Sequence, residues 1–262
     1  MGIGLANIVY WSTAAVAPAP AFTGLLDTYP GATFAYSLRL LKSDYSGNAV
    51  RVRRASDNTE QDIGFANNEL DTASLETFCS GTDGFVTTWY DQSGNAANVA
   101  NATAAQQPQI VSSGTSLGYV KTFDFQKLFA QGILEWSNGI DYSVFGVMKN
   151  TGNNFFISGL GGGYAAISDN NQPSRVGASY FTEGNRYKNG SLIGATWGDM
   201  HNATTSFAAM SLYATCNLNI QGSLGGYITS YNNSQLKEYI VYPNQTISRT
   251  GVETNIIDHY NF

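Results

Sequence analysis

Hydrophobic and polar residues alternate along much of this chain with the period of a strand that buries one face. The clearest case is residues 85–90, Phe-Val-Thr-Thr-Trp-Tyr, a β-branched and aromatic run between a turn at residues 80–84 and a second turn, Asp91-Gln92-Ser93-Gly94-Asn95. Trp89 is expected in the core, with Asp91 bonding turn amides. Residues 49–54 alternate apolar and basic positions, which predicts a half-buried strand whose arginines form a solvated face; an anionic-ligand patch is the alternative. Further strands are predicted at 142–148, 155–158, 164–167, 175–181, 206–213 and 236–242, and Asn189-Gly190 marks a tight hairpin. Two helices are predicted. One spans residues 70–78, and one follows Ser248 as N-cap, with Val252, Ile256 and Tyr260 four residues apart. Many short strands and few helices predict an all-β, two-sheet sandwich over residues 34–242, with the last helix packed on its edge.

Residues 1–33 read differently. An apolar start containing Ile3, Leu5, Ile8, Tyr10 and Trp11 runs into the Ala/Pro stretch 14–21. This predicts an extended N-terminal arm, 1–33, ahead of a single domain, 34–262. Such an arm gains order by packing on its own domain or on a neighbouring chain, and the neighbour is the expectation.

Composition narrows the class. Only 12% of the residues are charged, about half the usual share of a soluble domain, while Gly (28) and Tyr (16) are abundant. The net charge of −6 argues against nucleic acid, whose phosphates select basic surfaces. No apolar run is long enough for a membrane helix. The apolar start lacks the basic leader of a signal peptide, so export through a cleaved signal is not expected. Cys79 and Cys216 cannot build a disulfide framework; two separate buried thiols are expected rather than one bridge. His201 and His259 do not make a zinc site, so no metal is assigned. Ca²⁺ held by Asp57, Asp62 and Asp91 is a minor alternative to no cofactor.

Residues 35–95 resemble the catalytic domain of the family 54 α-L-arabinofuranosidases. The resemblance is carried by Tyr45-Ser46-Gly47, Arg54-Ala55-Ser56-Asp57-Asn58, residues 71–79 and Trp89-Tyr90-Asp91-Gln92-Ser93-Gly94-Asn95. Residues 235–242 and the following helix are similar to the end of laminin-G and concanavalin-like lectin domains. Together these imply a concanavalin-like two-sheet β-sandwich (jelly roll) with a short C-terminal helix.

The family's retaining chemistry implies a Glu nucleophile and an Asp general acid/base, about 5–5.5 Å apart. The nucleophile's position aligns with Ala165, the family's vicinal cysteine pair is missing, and residues 216–237 contain no Asp or Glu. Asp169 and Glu183 are stray carboxylates, read as loop residues. No catalytic residue is therefore assigned.

Catalytically emptied jelly rolls resemble domains of phage and bacterial surface proteins. The resulting expectation is not an enzyme but a virion structural protein, a head-decoration, tail or fibre component at the virion surface. Its partners would be other virion proteins or its own copies, held through the arm, and host surface glycans. Glycan contacts are expected from Trp136, Tyr164, Asp169, Tyr180, Trp197, Tyr227 and Tyr231, since aromatic faces stack on sugars. A free carbohydrate-binding module or adhesin, extracellular or on a cell surface, is the alternative, and an active arabinofuranosidase the third reading.

Overall fold

The computed structural model describes residues 21–122, 128–130, 135–137, 139–150, 157–159, 185–194, 206–215, 220–224, 234–244 and 247–262. These build a β-sandwich, and every strand pairing among them is antiparallel. The central ladder joins Ser234–Pro243 to Asp141–Asn150 on one side and to Phe34–Ser37 on the other. Asp141–Asn150 pairs onward with Ala208–Thr215, which pairs with Arg186–Lys188. The start of Ser234–Pro243 also pairs with Thr115–Lys121, which leads through Gln109–Ser112 to Gly84–Trp89 and Val50–Arg54.

The two halves of this network close on one interior. Val50, Val52, Val86 and Trp89 meet Phe34, Tyr36, Tyr142, Val144, Tyr239 and Val241 there. Trp89 is 1% exposed, as the alternation predicts. On the strand Val50–Arg54 the valines are buried and the alternate arginines engage partners on the outer face: Arg51 with Glu60 and Asp62, Arg53 with Gln107 and Asn58.

A second core lies on the back of the central ladder. Ala35, Phe145, Val147, Ile240 and Tyr242 point away from the interior and are covered by Leu25, Leu26, Val252 and Ile256. The C-terminal helix Arg249–Tyr260 therefore packs on a sheet face, not on the sandwich edge as the sequence led us to expect. The reason is that the central strands are apolar on both faces, and the outward set would otherwise meet water. Ser248 caps the helix through the Gly251 amide, as anticipated. Burying Val252 and Ile256 stabilises the docking by roughly 1.5–3 kcal/mol each.

The ladder between Asp141–Asn150 and Ser234–Pro243 shifts register between Val147 and Met148, which face Glu238 and Leu236. Lys237 is the extra residue of this β-bulge. The bulge turns both Lys237 and Glu238 toward the C-terminal helix. Lys237 Nζ lies 4.9 Å from the Phe207 ring centre and 5.5 Å from that of Tyr260.

Residues 22–33 contain the helical turn Leu25–Thr28, whose Leu25 and Leu26 are buried in the second core. Ile3, Leu5, Ile8, Tyr10 and Trp11 lie outside the described residues, as do the strands expected at 164–167 and 175–181. The Asn189-Gly190 hairpin forms, with φ of 45° and 79° at its two central residues, the positive pair a tight I′ turn needs.

Candidate functional site

The motif that carries the family resemblance is a bracket between strands. Asp91 is 4% exposed and accepts four hydrogen bonds: Oδ1 from the Ala35 and Ser93 amides, Oδ2 from the Ser93 hydroxyl and the Ala97 amide. Gln92, fully buried, donates to the Ser37 and Arg39 carbonyls and accepts from the Leu41 amide. Asn95 donates to the Ala32 and Thr33 carbonyls. Trp89 Nε1 approaches the Ser37 carbonyl at 3.5 Å, and Tyr90 donates to Asp62. These side chains satisfy the backbone of residues 32–41, which would otherwise be unpaired inside the protein. The motif holds the fold together.

The other buried carboxylates are also engaged. Glu238 is 0% exposed and receives Arg39 through two bonds, Nε to Oε2 at 2.7 Å and Nη2 to Oε1 at 3.0 Å. Ser37 and Tyr260 add hydroxyl contacts, and Arg39 Nη2 also reaches Asn255 on the C-terminal helix. Glu253 bonds the Ser211 hydroxyl and Arg249. Buried charge is stable only when paired in this way. Sequence reading missed the Arg39–Glu238 pair, although a lone acid inside the apolar run 236–242 was a usable signal.

Asp57, Asp62 and Asp91, considered together for Ca²⁺, are each taken up by different partners: Arg54 and the Thr59 amide, Arg51 and Tyr90, and the turn amides. Among the described residues no three His, Cys, Asp or Glu side chains gather to hold a metal. Cys79 is a free, buried thiol whose pKa burial pushes up to about 11.

A polar cleft of about 200 Å³ opens between residues 22–25, the turn at 67–69 and the C-terminal helix. Arg39 forms part of its wall, together with Asn67, Asn68, Glu69 and His259. His259 Nε2 lies 3.2 Å from Glu69 Oε1. Burial lowers the His259 pKa and raises that of Glu69.

Of the expected glycan contacts, Trp136 lies on the two-residue strand Glu135–Trp136, paired with Ile220–Leu224. Tyr164, Asp169, Tyr180, Trp197, Tyr227 and Tyr231 lie outside the described residues, as do Ala165, Glu183, His201 and Cys216.

Comparison with known proteins gives the chain its relatives. Residues 28–122 match the family model described as alpha-L-arabinofuranosidase B, catalytic. A GH54 α-L-arabinofuranosidase soaked with a cyclic sulfate inhibitor has a similar structure, with a TM-score of 0.58 at 16% identity. An arabinofuranosidase complexed with arabinofuranosyl-α-1,2-xylobiose is also similar (TM-score 0.54, 14% identity), as is a mutant GH54 enzyme soaked with 4-nitrophenyl α-L-arabinofuranoside (0.51, 15%). Each similarity covers 86% of this chain and 62% of the other, so the chain spans about three-fifths of the length of these structures. No curated protein matches.

These findings correct the functional expectation. The matched family model is that of an arabinofuranosidase catalytic domain, and neither a virion structural protein nor a non-enzyme is supported. That expectation rested on an alignment through residues 155–167 and on the acids missing from 216–237, both outside the span 28–122 that the family model matches. The span of the family model includes the bracket around Asp91, and by that match residues 28–122 are similar to the catalytic domain of an α-L-arabinofuranosidase.

Proposed function

We propose that this chain is a glycoside hydrolase domain that cleaves terminal α-L-arabinofuranosyl units. The observation that carries the reading is the family match over residues 28–122, which falls on the half of the sandwich where the strand-bridging motif is complete. The shared sandwich fold supports it.

Hydrolysis requires two carboxyl groups flanking the glycosidic bond, one protonating the leaving oxygen and one acting as nucleophile or as base for water. Asp91, Glu238 and Glu253 are consumed by the fold, as described above. The candidates we name for this role are Asp124, Glu135, Asp169, Glu183 and Asp199. The test is hydrolysis of 4-nitrophenyl α-L-arabinofuranoside by the purified chain and by the five single carboxamide variants. Two of the five are expected to lose turnover by a factor of about 10² or more. The anomer first released, read by NMR, distinguishes retention from inversion. A folded chain with no turnover on arabinofuranosides would overturn the proposal, and turnover that survives all five substitutions would overturn this choice of acids.

A further inference from the structure

The cleft between the N-terminal segment and the C-terminal helix has the chemistry of a ligand site. Its wall contains a charged side chain that is almost wholly buried: Arg39 is 6% exposed. The printed bonds of Arg39 use Nε and Nη2, toward Glu238 and Asn255. Its Nη1 amino group has no hydrogen-bond partner among the described residues. A guanidinium fixed on two sides, with two N–H donors left over, is preorganised for an acceptor.

The charges facing the cleft cancel. Among its lining residues Arg39 and Glu69 carry one charge of each sign. Neutral His259 adds no charge, and if it donates from Nε2 to Glu69 its Nδ1 is an acceptor. An anion would meet the Glu69 carboxylate, and a cation would meet Arg39. A neutral ligand carrying both donors and acceptors meets neither difficulty. Asn67 and Asn68 supply further amide donors and carbonyl acceptors at the rim, and Phe22 supplies an apolar face. The volume of about 200 Å³ suits one sugar ring.

We infer that the cleft formed by Arg39, Asn67, Asn68, Glu69 and His259 binds a single neutral sugar unit, through hydroxyl groups that accept from Arg39 and donate to Glu69. The site is built wholly from described residues. None of its residues is among the five acids proposed for hydrolysis, so each reading can fail without the other.

The chain has only two histidines, His201 and His259, so imidazole NMR reads the cleft with an internal reference. His259→Gln assigns the signal. Titration with L-arabinose is expected to shift the His259 resonances in a saturable way at millimolar sugar. Glu69→Gln should weaken that binding about tenfold, because a charged acceptor is lost. Asn68→Gly should weaken it a few-fold. Glycine suits the Asn68 backbone, whose φ is 68°, so the change removes only the side chain. A His259 signal that is indifferent to sugar overturns the inference. So does a signal that responds to inorganic phosphate and not to arabinose, which would make the cleft an anion site, or sugar binding unchanged in both variants.

Discussion

Replacing Glu238 by Gln should be among the most destructive near-isosteric changes available to this protein. The side chain keeps its length, so packing is preserved and the effect is electrostatic. Glu238 and Arg39 have side-chain exposures of 0% and 7%, which leaves the Arg39 charge little water once the carboxylate is gone. One amide position would also turn an NH₂ donor toward a guanidinium donor or the Ser37 hydroxyl. Breaking one side of a buried ion pair costs about 3–5 kcal/mol. At about 2–4 °C per kcal/mol for a domain of this size, Tm should fall by roughly 6–20 °C. The double replacement Arg39→Met with Glu238→Leu removes both charges. It forfeits the bonds of Ser37 and Asn255 at about 1 kcal/mol each, and should stay within about 2 kcal/mol of the parent. Urea unfolding followed by circular dichroism, run as a double-mutant cycle, measures both. A Glu238→Gln penalty below about 1 kcal/mol, or a double variant as unstable as the sum of its singles, would refute the argument that Arg39 is stranded without its partner.

Cys79, with its pKa pushed up to about 11, should resist alkylation in the native protein at pH 8, where roughly a thousandth of it is thiolate. Iodoacetamide labelling followed by peptide mass spectrometry should find Cys79 modified only after denaturation, and native labelling at the rate of a free thiol contradicts this. His259 gives a pH dependence of definite sign. Its folded pKa lies below the ordinary value of 6.5, chiefly through burial and then through Arg39 and Lys237, so the unfolded chain takes up the proton first. That contribution to stability is present above pH about 6.5 and is lost as pH falls toward the folded pKa; the raised pKa of Glu69 acts in the opposite sense in its own, more acidic range. The urea midpoint should therefore drop between pH 7.5 and 5.5, and drop less in His259→Gln; equal drops in both proteins would exclude the residue.

The sequence by itself determined the elements whose cause is local. Period-two alternation at 50–54 and 85–90, the Asn189-Gly190 pair and the Ser248 cap each specify their own backbone through nearby side chains. The bracket motif around Asp91 was legible for the same reason, since short-range turn chemistry ties it to particular residue types. Tertiary structure decided what depends on partners far along the chain. The docking face of the last helix follows from which side of Phe145, Val147 and Ile240 is left uncovered, and strands apolar on both faces do not announce that side. The Lys237 bulge reverses the facing of its strand, and no alternation count reveals a register shift. Arg39 and Glu238 stand 199 positions apart and become one buried pair only when two strands meet beneath a helix. The cleft beside them arises in the same way, from Glu69 and His259 brought together by packing that neither residue's neighbours encode.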